Sequence, residues 1–134
     1  MTPEAAEEVG AVLVSRDQLF ERADILTIHL VLSSRTRGLV GAAELERMKP
    51  TARLINASRG PIVNEQALIS VLKNQRIAGA AIDVFDTEPL PPSHPFRTLD
   101  NVLATPHIGY VSAGLYKTFY EDTVSNIRQW LDTH

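Results

Sequence analysis

A doubly wound α/β layer built on a parallel sheet is what this chain predicts, from three features of its 134 residues. Short apolar runs at 11–14, 25–32, 53–56, 79–82 and 102–104 alternate with stretches of helical character, the pattern of βαβ units rather than hairpins. The run 25–32, ILTIHLVL, is β-branched and apolar on both faces, as suits a strand covered on two sides by helices. Ser33, then Ser58 and Arg59, then Asp83, then His107 stand where successive runs end, and ligands bind outside the carboxyl ends of parallel strands.

The elements follow in order. Thr2 and Pro3 suit the N-cap and first position of a helix over 3–9, with Glu4 at the positive end of its dipole and Gly10 closing it. Residues 11–14 read as a brief buried strand. Ser15 and Gln18 form a capping box for a second helix with Leu19 and Phe20 on its apolar side. Within 25–32, His29 reads as a packed, hydrogen-bonded group rather than a ligand, and Arg35 and Arg37 in the polar connection that follows read as solvated. A short helix over 42–48 stops at Pro50, the strand 53–56 comes next, and a turn over 57–61 leads to a helix capped by Asn64 with Leu68, Val71 and Leu72 buried. The longest helix spans 113–131, with a stripe of Tyr116, Tyr120, Val124, Ile127 and Leu131 and with Trp130 packed beside it.

Composition narrows the function. A hydrophobic content of 44% with 22% charged residues is that of a soluble domain with one core, and no apolar run is long enough to span a bilayer. The net charge of −3 and the scattered arginines leave no footprint for nucleic acid or an anionic membrane. There is no cysteine, no metal-ligand spacing, and no basic and apolar start of secretory type, so the cytoplasm is the expected compartment. The stretch from Gly79 to Tyr110 gathers Asp83, Asp86, Glu88 and His107 around five prolines, more acid and base than packing demands. Proline keeps the neighbouring backbone stiff and non-helical, which holds Glu88 and His107 in place.

Four blocks, HLVLSSRTRGLVG, LINASRGPIVNE, GAAIDVFDTEPLP and NVLATPHIGY, resemble successive blocks of the D-isomer-specific 2-hydroxyacid dehydrogenases, which are NAD(P)-dependent, and the resemblance covers nearly the whole chain. It implies that Arg59 holds the substrate carboxylate and that Glu88 pairs with His107, the proton donor to a 2-oxo acid. It further implies that NAD, with NADP not excluded, meets Leu30, Val31, Ala57, Ser58, Arg59, Asp83, His107, Ile108, Gly109 and Tyr110. A neighbouring carboxylate favours the imidazolium and fixes its tautomer, and a guanidinium fork matches a carboxylate, so the residue types suit these roles. Val31 replaces a common proline and Asn64 a common aspartate.

The family's glycine-rich phosphate loop, its first two strands, the acidic residue for the adenosine ribose and its substrate domain are not among these residues. The implied architecture is a truncated Rossmann-type sheet: residues 1–134 form part of an NAD(P)-binding domain, with strands missing between 11–14 and 25–32. The free edge of 25–32 then invites association, so a homodimer is expected, with small 2-oxo or 2-hydroxy acids as substrates of the complete enzyme. The expected function is that of an oxidoreductase fragment, inactive by itself. The alternative is a non-catalytic oligomerisation or nucleotide-sensing module of the corepressor type.

Overall fold

The computed structural model describes residues 2–133. Helix α1 (Pro3–Glu7) starts where Thr2 Oγ1 accepts from the Ala5 N–H at 3.3 Å, and it ends two residues earlier than the sequence suggests. Helix α2 (Arg16–Arg22) carries the reciprocal cap: Ser15 Oγ accepts from the Gln18 N–H at 3.2 Å and Gln18 Oε1 from the Ser15 N–H at 3.0 Å. Phe20 is buried, but Leu19 on the expected apolar side faces solvent. The remaining elements are β1 (Ile25–Ile28), α3 (Ala42–Arg47), β2 (Arg53–Asn56), α4 (Glu65–Lys73), β3 (Gly79–Ile82), β4 (Val102–Ala104) and α5 (Ala113–Thr133). Asn64 caps α4 by accepting from the Ala67 N–H at 2.9 Å, and Leu68, Val71 and Leu72 are buried as their spacing predicts.

All four strands are parallel and ordered β1-β2-β3-β4, with Leu26, Leu54 and Ala80 in register. Alternate residues, among them Leu26, Ile28, Leu54 and Ile82, point into one core with Phe20, Leu45, Leu68, Leu72 and Phe96. Helix α2 packs on α3 and α3 on α4, so these three helices form one layer against that side of the sheet.

Three expectations are corrected here. Residues 11–14 pair with no strand among the described residues, and Val12 and Leu13 are exposed; an apolar run becomes a strand only where a neighbour takes up its backbone groups. The four strands described form an unbroken run with β1 at its edge. The strand 25–32 stops at Ile28 and is buried on one face only: Ile25 is 64% exposed, and His29 is exposed, with its Nε2 2.9 Å from Thr27 Oγ1. Helix α5 has the predicted period but no buried residue, and Trp130 is 59% exposed. Period reports which face is apolar, and only tertiary contact reports what covers it.

Candidate active site

At the carboxyl end of β3, Asp83 is buried and its carboxylate gathers three donors. Oδ1 accepts from Thr105 Oγ1 at 2.6 Å and from the Ile108 N–H at 2.9 Å, and Oδ2 accepts from the Gly109 N–H at 2.8 Å. The carboxylate thus staples the segment after β4 to the end of β3. A Cβ on Gly109 would lie 2.9 Å from Asp83 Oδ2, so any other residue there has to push the carboxylate away from its donors. Burial opposes ionisation of Asp83, but the bonds from Thr105, Ile108 and Gly109, with the nearby His107, together hold its carboxyl below the ordinary range.

His107 sits in the stapled segment with φ 56°, a left-handed conformation rarely taken by a side-chain-bearing residue. Its Nδ1 lies 2.7 Å from Glu88 Oε2, and Glu88 Oε1 accepts from the Phe85 N–H at 2.9 Å. An ionised carboxylate only accepts, so the geometry places the proton on Nδ1 and leaves Nε2 as the nitrogen that Glu88 does not engage. Burial acts to raise the Glu88 carboxyl, yet the His107 and Phe85 hydrogen bonds and the charges of His107 and Arg59 bring it below its usual value. Tyr110 meets the His107 ring edge-on, with centroids 6.4 Å apart.

Arg59 stands on the turn after β2. Asn56, 1% exposed, shapes that turn: its Nδ2 donates to the Arg59 carbonyl at 3.0 Å and its Oδ1 accepts from the Ser58 N–H at 3.1 Å. Ser58 Oγ donates to the Leu30 carbonyl beyond β1, and Arg59 Nη1 donates to the Ser58 carbonyl at 2.6 Å. A Cβ on Gly60 would fall 2.2 Å from the Phe85 carbonyl carbon, so the Arg59 turn and the Glu88 loop touch backbone to backbone.

The rim formed by the strand ends therefore carries the sequence-predicted residues Leu30, Val31, Ala57, Ser58, Arg59, Asp83, Glu88, His107, Ile108, Gly109 and Tyr110, with Val31 83% exposed. The Glu88 and His107 pair also borders a cleft of about 780 Å³ on the β4 side, lined by Leu90, Phe96, Leu103 and Pro106 among others. Sequence reasoning passed over Asn56, Thr105 and Gly60. A polar residue closing an apolar strand was the available signal for Asn56, while the other two depend on contacts across more than twenty positions. Among the described residues no group of three His, Cys, Asp or Glu could hold a metal ion, and no helix is long and apolar enough to cross a membrane.

Comparison with known proteins points to one family. The profile described as "D-isomer specific 2-hydroxyacid dehydrogenase, NAD binding domain" matches residues 1–109. Glyoxylate/hydroxypyruvate reductase B of Enterobacter agglomerans is 43% identical over 124 residues, 92% of this chain and 38% of that protein. The crystal structure of a putative D-3-phosphoglycerate dehydrogenase from Ralstonia solanacearum superposes with a TM-score of 0.87 at 42% identity, over 96% of this chain and 38% of the other. A dehydrogenase of the same family from Xanthobacter autotrophicus Py2, solved with NADPH and MES, superposes with a TM-score of 0.67 at 42% identity over 69% of this chain and 30% of the other. The chain thus spans well under half the length of the relatives it matches. With its four parallel strands in a Rossmann-type α/β layer and that profile match, the chain belongs to the D-isomer-specific 2-hydroxyacid dehydrogenase family, in the region of its NAD-binding domain.

Proposed function

We propose that the chain is part of the NAD(P)-binding domain of a D-2-hydroxyacid dehydrogenase and contributes Arg59, Glu88 and His107 to the active site. The observation that carries this reading is the 2.7 Å pairing of Glu88 with His107 Nδ1 at the rim of a parallel sheet, with Arg59 close enough for its charge to act on Glu88. The substrates proposed are small 2-hydroxy and 2-oxo acids, the class to which the named relatives' substrates belong.

The residues present suit a nicotinamide dinucleotide in part. Leu30 and Val31 offer exposed apolar side chains beyond β1 for a ring face, and Ala57, Ser58, Asp83 and the segment 107–110 line the rest of the rim. Bound NAD(P) would exchange a hydride with the substrate carbon. In its doubly protonated form His107, with Nδ1–H held by Glu88, gives its Nε2 proton to the substrate oxygen as negative charge grows there and returns to the neutral Nδ1–H ring, a contribution of ~10²- to 10⁴-fold in rate. Arg59 presents a planar fork to the substrate carboxylate. Asp83 keeps His107 in place through the bonds to Ile108 and Gly109.

The 134-residue chain by itself is expected to bind NAD(P) only weakly and to show no turnover, since its sequence has no glycine-rich loop leading to a helix N-terminus for the pyrophosphate. Calorimetry yielding micromolar NADH affinity, or glyoxylate reduction by the isolated chain, would overturn that expectation. The active-site assignment is tested by exchanging this chain for the matching span of the Enterobacter agglomerans reductase. A folded chimaera that reduces glyoxylate supports the assignment, and a folded chimaera with no activity sinks it.

A further inference from the structure

Outside the acid–base pair lies a second cluster that the proposed chemistry does not use. Glu65, the first residue of α4, has a carboxylate that reaches both ends of the loop from Asp86 to His94. Its Oε2 accepts from the Asp86 N–H at 3.4 Å, and its Oε1 lies 3.1 Å from His94 Nε2. His94 Nδ1 accepts from the Phe96 N–H at 3.2 Å, so this nitrogen is unprotonated and it is Nε2–H that donates to Glu65. Both side chains are largely shielded, at 13% and 16% exposure, which sets the pair apart from exposed ion pairs that hold little geometry.

Glu88 rides on the loop that this pair closes. It is an exposed residue with two partners, the Phe85 N–H and His107, and the backbone around it belongs to no helix or strand. What holds its position is the loop's own anchorage. On the proline side, Arg97 Nε and Nη2 donate to the carbonyls of Pro91 and Leu90 at 2.9 and 2.6 Å. At the base, the His94 ring meets Phe96 at a tilt of 58° with centroids 4.8 Å apart, and Phe96 meets Phe85, whose N–H holds Glu88. Glu65 fastens the loop base to α4, and the negative charge suits the helix N-terminus on which it sits.

We propose that Glu65 and His94 are positioning residues: by bridging the two ends of the 86–94 loop they aim Glu88 at His107 and so select the Nδ1–H tautomer of His107. They touch neither substrate nor cofactor. This inference rests on the pairing of Glu88 with His107 in the proposed site, and it concerns what keeps that pairing in register.

The test uses the isolated chain and ¹⁵N chemical shifts of the imidazole nitrogens at alkaline pH, where neutral tautomers are told apart by which nitrogen carries hydrogen. Wild-type chain shows His107 mainly as Nδ1–H. Glu65→Gln, nearly the same shape, and His94→Phe, which keeps a ring against Phe96, each lower the Nδ1–H to Nε2–H ratio of His107 by about fivefold, the worth of one ordinary hydrogen bond. The exposed His29 is the internal control and stays unchanged. Loss of stability alone would leave the ratio in the folded chain where it was, so the readout separates positioning from mere support. If both variants fold and keep the wild-type His107 ratio, the inference is wrong. Glu88→Gln tells this failure from that of the underlying reading: a His107 ratio unmoved by Glu88→Gln would mean that the pairing itself does not set the tautomer.

Discussion

Replacing Asp83 by asparagine removes a charge and one acceptor while leaving the shape nearly unchanged. The native carboxylate accepts three bonds, from Thr105 Oγ1, Ile108 N–H and Gly109 N–H. Asparagine can keep the Thr105 and Ile108 bonds on its single oxygen, but its amide then faces the Gly109 N–H donor to donor. An unpaired backbone donor together with the loss of charge assistance costs ~2–4 kcal/mol. If the 107–110 segment stays docked, the whole cost appears in urea unfolding and the midpoint temperature falls by roughly 6–16 °C. If it detaches instead, global stability falls less, and the same free energy appears as faster amide exchange at Ile108 and Gly109, by about 30- to 800-fold. The pH dependence follows from the direction of the shift. A carboxyl depressed in the folded state stabilises fully above its unfolded pKa of about 3.9 and loses that contribution as pH falls through the lower folded value. Asp83→Asn should therefore show a flatter loss of stability below about pH 4 than the parent chain. A variant within ~0.5 kcal/mol of wild type, with unchanged exchange at Ile108 and Gly109, would refute the reasoning.

Gly60→Ala drives a Cβ to 2.2 Å from the Phe85 carbonyl carbon, a backbone clash expected to cost ~2–3 kcal/mol or more, whereas Gly114→Ala in α5 meets nothing within 4 Å and should gain ~0.5–1 kcal/mol; paired urea titrations check the opposite signs. In the chimaera, His107→Ala should chiefly lower kcat, and Arg59→Lys should raise KM and lower kcat/KM, because the proton donor acts in the transition state while the fork binds carboxylate throughout. Steady-state kinetics with glyoxylate decide, and wild-type constants for Arg59→Lys would remove Arg59 from the site. The free edge of β1 and the exposed apolar side chains of α5 lead us to propose a homodimer; light scattering that stays at 14.8 kDa across a dilution series would exclude it.

Local chemistry was legible in the chain. The Ser15 and Gln18 cap, the Asn64 cap, the strands at 53–56, 79–82 and 102–104, and the buried stripe of α4 depend on near neighbours and on side-chain period, and both are written in order along the sequence. The rim could be foreseen for the same reason: in a parallel sheet every strand ends on the same side, so residues just past the apolar runs come together. The family blocks supplied the pairing of Glu88 with His107, and the two side chains lie 2.7 Å apart.

Tertiary structure decided everything that turns on which partner arrives. Residues 11–14 have strand composition but no partner strand among the described residues, 25–32 ends as a strand at Ile28, and α5 is amphipathic with nothing among the described residues burying its apolar face. Asn56 looked like the last residue of a strand, yet burial makes it the clamp of the Arg59 turn; Asp83 looked like a strand-end acid, yet three donors from a segment more than twenty residues away make it the anchor of His107. Gly60 against Phe85 and Glu65 against His94 are likewise contacts between distant positions. Propensity and period are properties of a few consecutive residues, whereas a buried polar group or a close backbone approach is defined by the group across the contact, which is fixed only once the sheet and its loops have closed.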